Sequence, residues 1–286
     1  MKRLMLLISA VGLMALRSVA APTVQYTQTD STAVVSLLAK ARRLPAGTDL
    51  MIFFARQLTG RPYVAKTLEV NATERLVVNL RQLDCTTYVE TVTALTLAAS
   101  HGRYTFNGFC HYLQQLRYQR GAVSYPGRLH YFTSWIESNT AKGYVREISA
   151  PNPPFTAIQR VAVNYMTTHT QYYPMLSGHA DWVNQIARTE RQLTGRRYPY
   201  IPKDKIVNSR LMRATIHSGD IIAILTSKRG LDTSHIGIAV WHTDGLHLLN
   251  ASQIHGRVVE EPLTLRAYMR QHPTQTGIRV VRLKAK

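Results

Sequence analysis

The chain has 286 residues, of which 45% are hydrophobic and 18% charged; this balance is typical of a globular protein and excludes a disordered one. A formal net charge of +19 attracts polyanions, but the lysines and arginines are scattered and no recognition motif is present, so nucleic acid is not an expected partner. The two cysteines, Cys85 and Cys110, are too few for a zinc site of the Cys/His type, and no cofactor is predicted.

The beginning of the chain has the pattern of a cleavable signal peptide over residues 1–20. A positively charged start, Met1 to Arg3, precedes an apolar run over residues 4–16 that is too short to span a membrane permanently. Ser18 and Ala20 are the small residues that a signal peptidase reads. We expect export with cleavage after Ala20 and no further membrane segment; an uncleaved anchor is the alternative.

The next part of the chain predicts two amphipathic helices, over residues 33–43 and 50–58, because apolar residues recur there at helical spacing. An extended segment follows over residues 60–64, since proline disfavours the helical conformation before it. Residues 76–80 then have the composition of a strand.

A cysteine lies at the start of the following helix. Val89 and Val92 fit the apolar face of a helix over residues 86–99, and Asp84 is a suitable N-cap. Cys85 therefore falls in the first turn, where free backbone N–H groups and the helix dipole stabilise a thiolate. Cys85 is a candidate nucleophile; the alternatives are a small buried hydrophobic residue or half of a disulfide.

The partner for such a disulfide would be Cys110, since an exported protein meets oxidising conditions. Cys110 lies within an apolar helical pattern over residues 106–118, which instead predicts a place in the core.

Residues 103–213 have the character of a large, mostly helical insertion into one catalytic domain that spans residues 21–286. The predicted elements are a helix over 106–118, a turn at 125–127, an aromatic segment over 130–136, a loop over 151–154, a helix over 180–193 and an extended segment over 198–202.

The last third of the chain changes to the pattern of an antiparallel sheet, with a hairpin signal at Asp244-Gly245. Helices followed by a strand meander predict an α+β fold in which a helix packs on one side of the sheet. The predicted strands cover residues 221–225, 235–241, 246–251, 257–260 and 278–283.

A cysteine on a helix followed by a meander that begins with histidine is the order found in papain-like peptidases. His235 begins the second strand, and Asn250 lies on the strand that pairs with it through the hairpin. Asn250 is the predicted third member of a Cys-His-Asn set. Ser252 or His247 are alternatives, although His247 would face the opposite side of a regular strand.

The order of five short motifs resembles that of the bacterial NlpC-type cell-wall hydrolases. Each motif is weak alone, but five in the same order are specific. The motifs are Gly60-Arg61-Pro62-Tyr63, Asp84-Cys85-Thr86, Gly219-Asp220, His235-Ile236-Gly237-Ile238 and Asn250-Ala251-Ser252.

Two departures narrow this resemblance. The separation of 150 residues between Cys85 and His235 exceeds what a minimal member needs. The Cys motif over residues 85–90, together with residues 128–132 and 231–235, resembles the N-acetylmuramoyl-L-alanine amidase-like branch found in Gram-negative bacteria. The resemblance implies a papain-like core, a periplasmic location, and cleavage of the amide between N-acetylmuramic acid and L-alanine in muropeptides, the small fragments of peptidoglycan.

The same resemblance implies a role for each site residue. Cys85 attacks the carbonyl, His235 transfers the proton, and Asn250 orients the imidazole. Tyr63 matches the tyrosine that donates to the oxyanion together with the Cys85 N–H. The predicted substrate contacts are Arg128, Tyr131, Trp135, Ser234 and Ser252.

Two other functions remain open from the sequence. One is a stem-peptide endopeptidase of the same superfamily, which cuts between D-glutamate and the diamino acid. The other is a non-catalytic basic module that binds acidic wall fragments.

Overall fold

The structure is a computed structural model that describes residues 24–284. The predicted signal peptide, residues 1–20, lies outside the described residues. Along residues 24–284, no helix is both long enough and apolar enough to cross a membrane.

The first part of the described chain is helical and places the candidate nucleophile. The capping box at the start of α3 joins Asp84 and Thr87 in both directions, which confirms the predicted N-cap. The elements are β1 (Val24–Gln25), α1 (Gln28–Ala41), α2 (Leu50–Gln57), β2 (Leu76–Val77), α3 (Cys85–Ser100) and α4 (Phe106–Arg117). The strand predicted over residues 76–80 is thus only two residues long; it pairs in parallel with β1.

The middle of the chain is less helical than its sequence predicts, because it supplies three strands to the main sheet. The aromatic segment begins a helix, which the sequence did not indicate. The elements are α5 (Phe132–Ala141), β3 (Val145–Ile148), β4 (Ala157–Arg160), α6 (Tyr165–Thr168), α7 (Ala180–Leu193), β5 (Arg197–Pro202) and α8 (Arg210–Thr215). Short 3-10 turns lie at residues 119–121, 170–172, 174–176 and 203–205.

The last part of the described chain forms the predicted meander. Its elements are β6 (Ile221–Thr226), β7 (Thr233–Trp241), β8 (Leu246–Ser252), β9 (Arg257–Glu260), α9 (Leu265–Arg270) and β10 (Gln275–Leu283). The main sheet has the order β4-β5-β10-β6-β7-β8-β9, with β3 also paired to β10, and each pair in it is antiparallel.

The sheet is covered on both faces, which explains the unbroken apolar run of β6. Ile221 and Ala223 pack on one side with α1 to α5, while Ile222 and Ile224 pack on the other with α8 and α9. Helix α3 lies on the first side against β7 and β8, and residues 87–99 of this helix are all buried. The fold is therefore α+β. It packs helix α3, which begins at Cys85, against strands β7 and β8 of the meander.

Cys85 and Cys110 do not form a disulfide with each other. Cys110 is 7% exposed and packs in the core, as its pattern predicted. Both cysteines are free, so Cys85 keeps its thiol.

Candidate active site

The candidate nucleophile is the first residue of a buried helix. Cys85 follows the N-cap Asp84 directly and is half-buried. Residues 87–99 of α3 are buried, whereas Cys85 and Thr86 are partly exposed at its amino-terminal end.

The segment that carries Tyr63 runs beside the start of α3. Leu83 donates its N–H to the Pro62 carbonyl at 3.0 Å, and Val64 donates to the Leu83 carbonyl at 3.1 Å. Burial, with the nearby Cys85 and Asp84 as further causes, raises the pKa of Tyr63 to about 12. The Tyr63 hydroxyl therefore keeps its proton at neutral pH and can act as a hydrogen-bond donor.

The predicted His–Asn pair is present between β7 and β8. The Oδ1 atom of Asn250 lies 2.9 Å from Nε2 of His235. The Asn250 side chain is buried, and its Nδ2 donates to the Leu248 carbonyl at 3.3 Å, which turns Oδ1 toward the imidazole. Since Oδ1 accepts, Nε2 of His235 carries the proton, and Nδ1 of the neutral ring is left as the basic nitrogen.

A cleft of about 200 Å³ is lined by both Cys85 and His235. We call it the Cys85 cleft; its lining residues are Cys85, Thr86, Leu129, His130, Tyr131, Phe132, Met166, Tyr173 and residues 231–236. Cys85 and His235 are both on its wall, although 150 residues separate them in the sequence.

Burial dominates the electrostatics of this cleft. It raises the pKa of the Cys85 thiol to about 12, helped by the negative charge of Asp84 and opposed by N–H donation from Ile236. Burial also lowers the pKa of His235, while the hydrogen bond to Asn250 opposes that shift. The start of a helix favours a thiolate, but burial acts in the opposite sense on Cys85. Both shifts favour the neutral forms, so the free protein holds a neutral thiol and a neutral imidazole in the same cleft.

Two of the predicted substrate contacts line the cleft, and a third is elsewhere. Tyr131 and Ser234 are on the cleft wall. Arg128 is not, because its buried guanidinium forms ion pairs with Glu69 and, at 3.5 Å, with Glu74.

The other two predicted contacts are also buried away from the cleft. Trp135 has no exposed surface and stacks on Phe132 with ring centroids 5.0 Å apart. Ser252 is 2% exposed, and its hydroxyl accepts from the His255 N–H at 3.2 Å. His247, the alternative third member, contacts Asp244 at 3.0 Å and has no place in the cleft lining.

The structure adds two cleft residues to which the sequence gave no role. Asp232 is 3% exposed and accepts N–H groups from Thr133 at 2.7 Å and from Thr233 at 2.8 Å. Thr133 is in the first turn of α5, which has no capping side chain of its own, so Asp232 satisfies that helix start from a distance. His130 lines the cleft as well; burial first, and the charge of Arg128 second, lower its pKa to about 3.

The contact from Asp232 ties the loop before His235 to α5. The Asp232 carbonyl also accepts from Gln159 Nε2 at 2.8 Å, so both polar ends of this residue are held. The position of the imidazole is therefore fixed by the insertion as well as by the meander. Along residues 24–284, no three His, Cys, Asp or Glu side chains gather in an arrangement that could hold a metal ion.

Comparison with known protein families identifies the chain. Residues 53–278 match the AmiA-like family model, described as N-acetylmuramoyl-L-alanine amidase-like. The chain belongs to this amidase-like family. The match includes Tyr63, Cys85, His235 and Asn250, so the candidate site lies wholly within the family region.

Solved structures agree with membership of the amidase-like family. An N-acetylmuramoyl-L-alanine amidase from Bacteroides uniformis ATCC 8492 is 34% identical, with a TM-score of 0.77, and the similarity covers 82% of this chain and 97% of that one. A Bacteroides fragilis protein, provisionally named a xylanase, is 37% identical with a TM-score of 0.75, over 80% and 99% of the two chains.

A more distant structure shares the fold alone. A protein from Legionella pneumophila is 23% identical, with a TM-score of 0.71, over 90% of this amidase-like chain and 96% of that chain. No curated protein matches the chain.

Proposed function

We propose that this member of the amidase-like family is a cysteine-dependent N-acetylmuramoyl-L-alanine amidase that acts on peptidoglycan fragments, with an NlpC-type, papain-like catalytic arrangement. The observation that carries the proposal is that Cys85 and His235 line the same cleft, with Oδ1 of Asn250 2.9 Å from Nε2 of His235. The Bacteroides uniformis relative, which is named as such an amidase, supports the choice of bond.

Acylation begins with proton transfer. Nδ1 of His235 takes the thiol proton as the sulfur attacks the amide carbonyl, so that a thiolate forms only with substrate in place. The developing oxyanion receives hydrogen bonds from the Tyr63 hydroxyl and the Cys85 N–H, and loss of one such donor typically costs ~2.7–4 kcal/mol of activation free energy. When the C–N bond breaks, the imidazolium protonates the departing amino group of L-alanine and leaves a thioester.

Deacylation uses the same groups in the reverse sense. His235 takes a proton from water as the oxygen attacks the thioester carbonyl. Collapse releases the carboxylic acid of the muramic acid, which then loses its proton to solvent, and the imidazolium returns its proton to the sulfur. One water is consumed, and the free enzyme is regenerated.

The cleft does not fit a glycosidase, the class to which the provisional name of the Bacteroides fragilis relative belongs. Glycoside hydrolysis ordinarily needs two carboxyl groups on either side of the scissile bond. Asp232 is the one acidic residue among those that line the Cys85 cleft, and its carboxylate already accepts from two backbone N–H groups.

Product analysis tests the proposal directly. Purified protein is incubated with a disaccharide tripeptide, and the products are weighed by mass spectrometry. Release of the intact tripeptide supports the amidase; release of disaccharide-L-Ala-D-Glu would show an endopeptidase instead. Cys85→Ala should abolish turnover, while Cys110→Ala, a matched control in the core, should retain it. Wall-fragment binding without turnover, unchanged in Cys85→Ala, would indicate a binding module.

We also propose that the protein is exported to the periplasm after cleavage behind Ala20. The support is the sequence pattern of residues 1–20 and the substrate, which is found in that compartment. Cell fractionation with amino-terminal sequencing tests it, and a mature chain that still begins at Met1 would contradict it.

A further inference from the structure

A second, larger cavity lies next to the Cys85 cleft. Its volume is about 720 Å³, within the range of small-molecule binding sites. We call it the basic cavity; its lining residues are 159–164, Thr167, Ala187, Glu190, Arg191, Thr194 and 226–231. Leu231 lines both spaces, so they meet at the loop that leads to His235.

A hydrogen-bonded wall separates the two spaces. Tyr131, on the cleft side, donates its hydroxyl to Glu190 Oε1 at 2.6 Å, and Met166 donates its N–H to the same hydroxyl at 3.1 Å. Glu190 is 3% exposed and also accepts from the Thr167 N–H at 3.3 Å. Its carboxylate is therefore engaged in the wall, and Glu190 is the one acidic residue among those that line the basic cavity.

The cavity presents four exposed cations. Arg160, Arg191, Lys228 and Arg229 all line it, and none of the four forms an ion pair within the part of the chain that the structure describes. Such a concentration of like charge in a concave site favours a ligand with more than one negative charge.

The loop that bears two of these cations is fixed to the insertion. Asn164 and Tyr165 both donate their N–H groups to the Gly230 carbonyl, at 3.2 and 3.1 Å. Gly230 has a φ of +81°, and a Cβ there would lie 2.6 Å from Asn164 Oδ1. Only glycine fits this junction, which holds Lys228 and Arg229 beside the cleft.

We infer that the basic cavity binds the carboxylates of the substrate's stem peptide while the scissile amide lies at Cys85; this rests on the proposed function. Beyond L-alanine, the stem carries the carboxylates of D-glutamate and of the diamino acid. Three extended residues reach about 10 Å, so a stem peptide joined to the amide at Cys85 extends well beyond the reacting bond, and the cavity that shares Leu231 with the cleft is its neighbouring space. The four cations supply the charge that these groups require, and guanidinium groups can pair with carboxylates in a bidentate manner.

The test compares two substrates and two double variants. One substrate is a muramoyl-tripeptide with free carboxylates; the other is muramoyl-L-alanine amide, whose stem is uncharged. Lys228→Gln/Arg229→Gln removes two cations from the cavity. Arg43→Gln/Arg210→Gln removes the same charge from exposed positions that do not line either space.

The measured quantity is the ratio of kcat/KM for the tripeptide to that for the alanine amide. In Lys228→Gln/Arg229→Gln this ratio should fall about tenfold, through the KM of the tripeptide substrate. The control variant should keep the ratio of the unmodified protein. A ratio within about twofold of that value in the cavity variant, or an equal fall in the control, would overturn the inference.

Failure of the proposed function is distinguishable from failure of this inference. If the unmodified protein hydrolyses neither substrate, the amidase proposal fails, and calorimetry with the free tripeptide L-Ala-D-Glu-diaminopimelate then decides about the cavity. Binding to the unmodified protein that weakens about tenfold in Lys228→Gln/Arg229→Gln supports the cavity as a carboxylate site. Absence of binding, or equal binding to both, overturns it.

Discussion

Asn250→Ala isolates the part of the site that orients the imidazole. The variant removes the acceptor 2.9 Å from Nε2 of His235 and leaves Cys85 and the cleft wall in place. It also removes the weaker donation from Nδ2 to the Leu248 carbonyl at 3.3 Å. The sulfur keeps its position, but the imidazole loses the contact that fixes its tautomer.

The size of the effect follows from the charge on the donor. In the resting protein the imidazole is neutral, and a neutral hydrogen bond contributes roughly 0.5–1.5 kcal/mol to stability. In the transition state the ring carries the thiol proton, and the bond from Nε2 to Asn250 becomes charge-assisted, at roughly 1.5–3 kcal/mol. The free enzyme loses the neutral bond as well, so the barrier rises only by the difference, roughly 1–1.5 kcal/mol. We therefore expect kcat/KM to fall about 5- to 13-fold, while the free energy of unfolding falls by about 1 kcal/mol.

The assay is hydrolysis of a muramoyl-tripeptide across a pH series, alongside urea unfolding. Activity needs the neutral imidazole, so it falls on the acid side as His235 takes a proton. The pKa of His235 lies below its ordinary value because of burial, and the bond to Asn250 raises it. Removing that bond lowers the pKa further, and the acid limb of the Asn250→Ala profile should move to lower pH.

A matched control is Asn139→Ala in α5. Asn139 is buried and donates to the Leu116 and Trp135 carbonyls, both at 3.0 Å, but it does not line the Cys85 cleft. It should cost a similar amount of stability and keep kcat/KM. The reasoning is refuted if Asn250→Ala retains activity within twofold, if its acid limb moves to higher pH, or if both variants lose activity equally.

Three further changes test the electrostatics and packing around the site. Asp84→Asn keeps a capping side chain but removes a negative charge that raises the pKa of the Cys85 thiol. Iodoacetamide should therefore alkylate Cys85 severalfold faster at pH 8. An unchanged alkylation rate would contradict this. Glu90→Gln leaves the buried Arg117 without its counter-ion, so the free energy of unfolding measured in urea should fall by ~3–5 kcal/mol. A fall of less than ~1 kcal/mol would show that this ion pair does not stabilise the fold. Gly237→Ala places a methyl group 2.7 Å from a leucine side chain and 2.8 Å from a carbonyl oxygen of β8, so its unfolding free energy should fall by ~1–3 kcal/mol; a stability equal to that of the unmodified protein would argue against the close approach.

The elements that carry the catalytic candidates could be predicted because their signals are local. The cap and apolar spacing around Asp84 predict α3, and the structure begins it at Cys85. The run Ile221–Leu225 predicts β6 whether one or both faces are buried, and the helix predicted over residues 180–193 coincides with α7. Such signals depend only on near neighbours in the sequence.

The insertion was harder to predict because its elements depend on distant partners. Strand β4 is short and alternates between half-buried and exposed residues, so it becomes a strand only by pairing with β5. Helix α5 lacks a local cap and receives one from Asp232, which lies 99 residues from Thr133. No window of sequence around residues 130–136 contains that contact.

The predicted substrate contacts also depended on the tertiary fold, which the sequence pattern does not reveal. Arg128 and Trp135 are residue types that bind sugars and carboxylates, but they are equally suited to a buried ion pair and an aromatic core. Arg128 is held in a buried ion pair because the tertiary fold brings Glu69 and Glu74 to its guanidinium.

The residues that line the Cys85 cleft come from three separate parts of the sequence. The sulfur is contributed by the first third of the sequence, the aromatic wall by the middle and the imidazole by the last third. A ribosome-bound or proteolytically shortened chain would hold a thiol with no base to activate it. Under the proposed mechanism, hydrolysis would therefore require the last third of the chain to be present and folded.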